Sequence, residues 1–168
     1  MFRTILAAAG LAALVTACSS VTLNTAFDPG AAAFIQTQGK ATVSGQAFLR
    51  RNDGIVVYAA GSEAQLIPKT AYSDARIASM FKGGKIAPVD PMMGTNVTVK
   101  DEDPRFAQYT RKAVANGEGR FTFTNVPDGA YYLTVPVTWM VQAFQGGTLL
   151  QSVSVSGGQS VEVILNGQ

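Results

Sequence analysis

Chemically reactive side chains are scarce in this chain of 168 residues. The sequence contains no histidine and one cysteine, Cys18. This excludes Ser-His-Asp and Cys-His catalysis, zinc sites that use histidine, and the iron site built from two histidines and a carboxylate. The densest acidic cluster is Asp101-Glu102-Asp103. Its oxygens could bind Ca²⁺, but the twelve-residue loop pattern is missing, and an exposed loop in which Asp103 caps a helix explains the cluster better.

Other residue types that could act on a ligand give no clear catalytic pattern. No spacing selects a pair for glycoside hydrolysis from the candidates Glu63, Asp74, Asp90, Asp101 and Glu118. Tyr131, Tyr132 and Trp139 could form a platform for stacking sugar rings, but two of these three share a strand face with apolar residues, which favours core packing. We therefore predict a protein that is not an enzyme and needs neither cofactor nor metal.

Residues 1–17 have the composition of an export signal, with one positive charge at Arg3 followed by an apolar run. The run is shorter than the roughly 20 residues that a membrane span needs. Its end, Val-Thr-Ala directly before Cys18, resembles the lipobox of bacterial lipoproteins. The resemblance implies cleavage after Ala17 and membrane anchoring through lipidated Cys18. Because serine rather than aspartate follows at Ser19, it also implies an exported protein of the outer membrane.

The segment after the signal is nearly neutral and long enough for one domain. Loss of Arg3 takes one charge from 13 basic residues against 11 acidic ones, so no electrostatic case for nucleic acid remains. Residues 18–40 are small and polar with a turn at Asp28-Pro29-Gly30, which predicts a tether. A short helix over residues 30–37, packed on the domain, is the alternative. The domain itself is predicted over residues 41–168.

Residues 119–139 carry the clearest strand pattern. Phe121 and Phe123 share one face of a first run. A second run places Tyr131, Leu133, Val135, Val137 and Trp139 on its core face and Tyr132, Thr134, Pro136 and Thr138 on the other. The Pro-Asp-Gly sequence between the runs predicts a turn and antiparallel pairing of the two runs. Because Pro136 lacks an amide hydrogen, the second strand is predicted at a sheet edge or with a bulge.

The same stretch carries a family resemblance. G-R-F-T-F-T-N-V-P-D-G-A-Y-Y-L resembles the G-x-F-x-F-x-n-V-P-x-G-x-Y signature of carboxypeptidase regulatory-like domains, a prealbumin-like β-sandwich family. Residues 45–70 are similar to the opening hairpin of that family. The resemblance implies a mainly β, antiparallel prealbumin-like or Ig-like sandwich of about seven strands. It also implies an accessory or binding module without catalytic residues.

Further strands are predicted on both sides of this stretch. Alternation begins at Ala41, and Asp53-Gly54 predicts a hairpin turn. A central strand over residues 55–60 and a short strand over residues 64–67 should follow. Residues 140–144, 148–155 and 160–165 are predicted to form a meander with turns at residues 145–147 and 156–159.

Residues 70–116 are too long for a hairpin loop, so we predict a partly helical insertion. Helices are expected over residues 71–81 and 104–114, with a short strand within residues 95–100. The insertion either determines specificity or covers an open sheet edge, and the sequence favours neither. The candidate partner-binding residues are Tyr72, Phe106 and Tyr109 in the insertion, and Tyr132 and Thr134 on the outward strand face.

Two functions fit these features. The first is a non-enzymatic cell-envelope lipoprotein whose sandwich binds a protein partner in an envelope assembly, through an edge strand or the insertion. The second is a carbohydrate- or peptidoglycan-binding module. A purely structural role in the envelope fits the sequence as well as the first.

Overall fold

β-strand is the predominant secondary structure in the computed structural model, which describes residues 20–168. The predicted signal peptide, the predicted cleavage after Ala17 and the predicted lipidation of Cys18 lie outside the described residues. The strands in chain order are β1 (Ser20–Val21), β2 (Ala41–Arg50), β3 (Val56–Tyr58), β4 (Glu63–Pro68), β5 (Ile86–Pro88), β6 (Thr98–Val99), β7 (Arg111–Val114), β8 (Arg120–Val126), β9 (Gly129–Val141), β10 (Ala143–Val155) and β11 (Ser160–Leu165). The helices are α1 (Pro29–Ala32) and α2 (Ala71–Phe81), with 3-10 turns at Ala33–Gln36 and Phe106–Tyr109. Within residues 20–168, no helix has the length and apolar character to cross a bilayer.

Two sheets pack face to face. The first has the order β5-β10-β9-β4-β7. In the second, β2 pairs with β11 on one side and with β8 and then β3 on the other. The prediction of a mainly β, antiparallel sandwich is confirmed. Without β5 and β7, which the insertion contributes, the two sheets contain seven strands.

The core lies between the inner faces of the two sheets, as the period-two pattern predicts. Leu133 and Val135 of β9 contribute from the first sheet, and Phe121 and Phe123 of β8 contribute from the second. All four side chains are buried. Burying one such apolar side chain stabilises a fold by about 1.5–3 kcal/mol, so this alternation explains why the strands adopt their observed facing.

The antiparallel pairing predicted for the two runs in residues 119–139 is wrong. β8 pairs with β2, whereas β9 pairs with β4 and β10, so the chain crosses from one sheet to the other between them. The Tyr131 hydroxyl donates to the carbonyl of Pro127 at 2.7 Å and holds this crossing. The crossing places the apolar faces of the two runs on opposite sides of the core, whereas a hairpin within one sheet would place both on the same side.

The edge position predicted for the second run is also wrong, because β9 is the central strand of the first sheet. Pro136 is nevertheless accommodated. Pairing of β9 with β4 ends at Thr134 opposite Gln65, so Pro136 lies just beyond the ladder on that side. On that side, Pro136 therefore has no partner residue in β4 to which an amide hydrogen would be donated.

The insertion is partly helical, as predicted, and its first helix matches the prediction. Thr70 caps α2 by accepting from the amide of Ser73, and the Ser73 hydroxyl accepts from the amide of Thr70. The helix predicted over residues 104–114 is wrong. That segment forms a 3-10 turn and then β7, because pairing with β4 gives its backbone a better partner than helix continuation. β5 and β7 form the two edges of the first sheet.

Three other strand predictions need correction. The strand predicted as central over residues 55–60 is the short edge strand β3, and Ile55 and Tyr58 are exposed there. β9 and β10 form one long hairpin that turns at Gln142, so residues 145–147 lie within β10. β11 does not continue a meander but pairs parallel with β2 in the other sheet.

The described part of the predicted tether is ordered against the sandwich. Residues 29–36 form the short helical turns that the alternative prediction placed over residues 30–37. Ile35 is buried in the main core, and the Phe34 ring packs on Tyr131 with centroids 5.6 Å apart. The side chain of Arg111 donates to the carbonyls of Ile35 and Thr37 at 2.6–3.0 Å. These contacts join the segment to the domain.

Candidate functional site

A groove of about 410 Å³ lies on the outer face of the first sheet and is the most complete candidate site. We call it the outer groove. Strands β4, β9 and β10 form its floor, α2 forms one wall, and the loop at residues 94–96 forms the other. The insertion therefore supplies both walls, over a floor that the sandwich supplies.

Neutral polar side chains lie along the floor. Thr134 faces Gln65 across the β4–β9 pair, and Thr148 faces Pro136 across the β9–β10 pair. Side chains opposite one another on paired strands lie about 5 Å apart. Thr134 is only 7% exposed, and Thr148 is similarly buried. The floor thus lines the groove with hydroxyl and amide groups from three adjacent strands.

Asn96 joins the loop wall to this floor. With its amide nitrogen turned to the carbonyls of Ala87 at 3.2 Å and Pro88 at 3.3 Å, its oxygen accepts a hydrogen bond from the Thr148 hydroxyl. This orientation satisfies both ends of the amide, and it is assigned from the hydrogen-bond network. The loop is therefore tied to β5 and β10 at the side of the groove.

The charged residues that line the outer groove already have partners. Glu63 accepts from Lys112 at 2.9 Å and from Gln65 at 3.0 Å. The hydrogen bond from Lys112, followed by that from Gln65, holds the pKa of Glu63 below its ordinary value. Arg76 pairs with Glu102 outside the groove. The lining contains one carboxylate, Glu63, so the groove has no pair of carboxylates for acid–base hydrolysis.

The helical wall presents apolar side chains and is held rigidly. Ile77, Met80 and Phe81 face the groove from α2. The buried hydroxyl of Ser73 donates to the carbonyl of Pro68 at 2.7 Å, which ties the start of α2 to the end of β4. A wall fixed in this way keeps its distance from the polar floor.

Tyr132 supports this wall from the sheet. Its hydroxyl donates to Asp74 of α2 at 2.8 Å, and the Lys69 ammonium lies 4.6 Å from its ring centroid. Burial raises the pKa of Tyr132 to about 12, and the hydrogen bond with Asp74 adds to the rise. Of the two residues predicted on the outward strand face, Thr134 therefore lies in the groove floor and Tyr132 lies under the helix.

The three candidate residues of the insertion are brought together elsewhere. Tyr72, Phe106 and Tyr109 surround Phe27, with ring centroids 5.4–5.8 Å from it. Tyr72 and Phe106 are buried and Tyr109 is half-buried. Their rings serve to pack residues 23–27 against the insertion rather than to form an exposed contact surface. The Tyr72 hydroxyl is buried with no hydrogen-bond partner among the described residues.

The acidic cluster is engaged in ion pairs. Glu102 binds Arg76, and Asp103 binds the guanidinium of Arg105 at 2.7 and 3.0 Å while also accepting from the Arg105 amide at 2.9 Å. Hydrogen bonds from Arg105 hold the pKa of Asp103 below its ordinary value. No group of three or more metal-binding side chains occurs in residues 20–168. Asp103 thus orders the loop before the 3-10 turn.

A second, smaller cavity of about 260 Å³ lies at the end of the sandwich beside Trp139. The indole N–H donates to the Gln145 side chain at 3.0 Å, and the turn at residues 50–53 forms the opposite side. Tyr131 is fully buried and Tyr132 is under α2, so the three aromatic residues do not form one stacking platform. Of the three, Trp139 alone lines a described cavity.

Sequence reasoning placed Thr134 on the correct face but missed its neighbours in the groove. Gln65, Asn96 and Thr148 come from three separate segments, and only strand register brings them beside Thr134. In β10, alternation directs Thr148 to the outer face because its neighbour Leu149 points into the core. This alternation was the one signal in the sequence that could have placed Thr148 on the groove side of the sheet. No sequence pattern specifies which strands are neighbours.

Comparisons with known proteins agree with this architecture. No protein-family model matches the chain, and no curated protein matches it. The solved structures include a Pseudomonas aeruginosa protein that has been proposed to bind carbohydrate, with 28% identity and a TM-score of 0.68 over 83% of this chain and 97% of the other. A minor pilin of Streptococcus agalactiae is 14% identical, with a TM-score of 0.40 over 77% of this chain and 44% of the pilin. The major pilin subunit of Bacillus cereus is also 14% identical, with a TM-score of 0.37 over 77% and 31%. The chain is therefore a β-sandwich similar in fold to the Pseudomonas protein over nearly the whole length of the latter.

Proposed function

We propose that the protein is a carbohydrate-binding module of the bacterial cell envelope, and that the outer groove holds the sugar. The observation that carries this proposal is the floor of Gln65, Thr134 and Thr148, three neutral hydrogen-bonding side chains aligned on adjacent strands. The similarity to the Pseudomonas protein proposed to bind carbohydrate supports the same ligand class.

The composition of the groove favours a neutral, hydroxyl-rich ligand. Hydroxyl and amide groups can both donate and accept, as sugar hydroxyls do. Glu63 and Arg76 already have charged partners, so neither leaves an uncompensated charge for an ionic ligand. Met80 and Pro136 offer an apolar surface for the C–H face of a sugar ring. Met80 on the helical wall and Pro136 on the floor bind by packing, and the polar side chains of the floor bind by hydrogen bonds.

We also propose that the protein is a non-enzymatic lipoprotein, exported and anchored through Cys18, with the outer membrane as its site. The lipobox resemblance and the single cysteine support this placement. Anchoring would hold the groove close to the polysaccharides of the envelope, including peptidoglycan. A protein partner in the same assembly is then an alternative outcome of the binding experiment.

The test is to measure binding of the purified protein to soluble peptidoglycan fragments and to neutral envelope oligosaccharides by calorimetry. Thr134→Val keeps the shape of the side chain and removes its hydroxyl. Loss of one hydrogen bond, about 1 kcal/mol, should weaken binding by about fivefold. Thr138→Val is the matched control because Thr138 lies on the same face of β9, is exposed, and does not line the groove.

Two results would contradict the proposal. One is a wild-type protein that binds none of these sugars but captures a defined envelope protein. The other is sugar binding that Thr134→Val and Thr138→Val leave equally strong, which would place the sugar outside the outer groove. Circular dichroism and thermal unfolding of both variants would confirm that each retains the wild-type fold.

A further inference from the structure

One end of the sandwich carries an apolar surface with no covering element. Four of the eight large apolar side chains that residues 20–168 expose lie there: Met92 at 85%, Met93 at 58%, Met140 at 69% and Val141 at 44% exposed. We call these four residues the apolar tip. Isolated exposed apolar residues are common, but several side by side mark an interaction surface.

Hydrogen bonds bring the two halves of the apolar tip together. Met140 lies opposite Phe144 in the β9–β10 hairpin, and the amide of Phe144 donates to the carbonyl of Pro91 at 2.8 Å. Gly94 approaches the Phe144 ring so closely that a Cβ there would lie 2.8 Å from it. The loop that bears Met92 and Met93 is therefore packed on the hairpin that bears Met140.

The loop holds its two methionines outward through a defined turn. One carboxylate oxygen of Asp90 accepts from the amides of Met92 and Met93 at 2.8 and 2.9 Å. The Asp90 carbonyl accepts from the amide of Gly94 at 2.8 Å. These bonds fix the turn, and in it both methionine side chains face solvent, where their exposure is unfavourable without a partner surface.

Amphipathic side chains flank the apolar tip. Trp139, next to Met140, is half-buried and lines the cavity beside Arg50, whereas Arg51 in the same cavity pairs with Asp53 at 2.6 Å. Tryptophan is enriched at membrane–water interfaces, and arginine can extend its charge toward headgroups while its aliphatic part packs below. The apolar side chains thus lie at the extreme end of the sandwich, with tryptophan and arginine farther from that end. This arrangement suits the surface of a bilayer.

The direction of the N-terminal chain favours the bilayer as the occupant over other partners. β1 pairs parallel with β6, with Ser20 opposite Thr98. In a parallel pair, the start of one strand lies beside the start of the other. The start of β1 therefore points along the segment that leads back to Met92 and Met93. Cys18, the proposed lipid attachment, precedes Ser20 by only two positions in the sequence.

We propose that the apolar tip docks on the phospholipid bilayer that holds the lipidated Cys18, so that anchor and tip fix the orientation of the sandwich. This inference rests on the proposed lipidation, and not on the sugar site. The lipid supplies most of the affinity, and four exposed side chains add a weak second contact. With the apolar tip on the bilayer, the outer groove lies on the side of the domain and is open to the envelope space.

The test uses the full-length lipoprotein, purified from bacterial membranes and reconstituted in phosphatidylethanolamine–phosphatidylglycerol vesicles. Trp139 is the only tryptophan in the chain, so its fluorescence reports on the tip. In vesicles with brominated acyl chains, its emission should be quenched. The triple variant Met92→Ser, Met93→Ser, Met140→Ser should lose most of this quenching while it still floats with the vesicles.

The matched control is Val114→Ser with Ile164→Ser, which removes two similarly exposed apolar side chains away from the tip and should leave the quenching unchanged. Absence of quenching in the wild-type protein would overturn the proposal, as would equal quenching in the triple variant. A tip-dependent dimer in sedimentation would overturn it in favour of a second copy. Mass spectrometry and flotation distinguish these outcomes from failure of the lipid anchor itself. A chain without acylated Cys18 that fails to float overturns both the lipoprotein assignment and the docking.

Discussion

Arg111 is the residue on which the attachment of the N-terminal segment depends most. Its guanidinium donates to Ile35 at 2.6 and 3.0 Å and to Thr37 at 2.9 Å. It also donates to Thr124 at 3.2 Å and to Asn125 at 2.9 Å, all through backbone carbonyls. One side chain therefore joins β7, the 3-10 turn at Ala33–Gln36 and the end of β8.

Replacement of Arg111 by methionine keeps much of the aliphatic packing and removes every one of these donors. A hydrogen bond that involves a charged group contributes about 1.5–3 kcal/mol net. Two of the five bonds share the Ile35 carbonyl, and water can replace some of the bonds once this partly exposed guanidinium is removed. We therefore expect the free energy of unfolding to fall by about 3 kcal/mol in total, rather than by the sum of five separate contributions. For a domain of this size, 1 kcal/mol lowers Tm by about 2–4 °C, which gives a decrease of about 6–12 °C.

Thermal unfolding by circular dichroism and limited proteolysis would measure the two consequences of Arg111→Met. Besides the lower Tm, cleavage within residues 20–40 should become faster, because Ile35 and Thr37 lose their connection to β7. Arg111→Lys should be intermediate, since a lysine ammonium cannot reach the acceptors on both segments at once.

Arg120→Met is the control for this experiment. Arg120 is exposed, and its pairs with Glu118 and Glu162 are long, at 3.4 and 3.6 Å. Surface pairs of this kind contribute about 0–1 kcal/mol. If Arg111→Met and Arg120→Met had the same Tm and the same proteolysis rate, the reasoning that Arg111 holds the segment would be refuted.

Two further predictions concern tyrosines that are buried or half-buried. Tyr72→Phe removes a buried hydroxyl that has no hydrogen-bond partner among the described residues. The substitution should raise the free energy of unfolding, measured by urea unfolding, by about 1 kcal/mol. A loss of stability would instead indicate a bound water or ligand at that hydroxyl. Burial raises the pKa of Tyr131 and of Tyr132 to about 12 in the folded chain, above the ordinary value of 10. The unfolded chain therefore releases these protons first, so the stabilisation is complete below pH 10 and is lost as the pH rises toward 12. Urea unfolding across this range should show falling stability, with a shallower fall in Tyr132→Phe.

The outer groove illustrates how far local sequence patterns reach. Alternation identified the outward face of β9 and so the direction of Thr134, and the helical spacing of apolar residues with the Gly-Gly end predicted α2 at its observed bounds. Gln65, Thr148 and Asn96 could not be predicted as neighbours of Thr134, because their proximity depends on strand order and register. These are set by pairing between segments far apart in the chain.

A family resemblance in residues 119–133 implied the β-sandwich. The sequence by itself also determined which side chains are apolar and where the chain can turn, and hence the helix α2 and the inward faces of β8 and β9. Those features follow from local geometry, since a period of two residues or a capping motif acts within a few positions. Only the tertiary structure decided that β8 and β9 lie in opposite sheets, that Pro136 sits in a central strand and that residues 111–114 form a strand. Each of these outcomes depended on which distant segment offered a backbone partner or a shared core, and no local pattern encodes that choice.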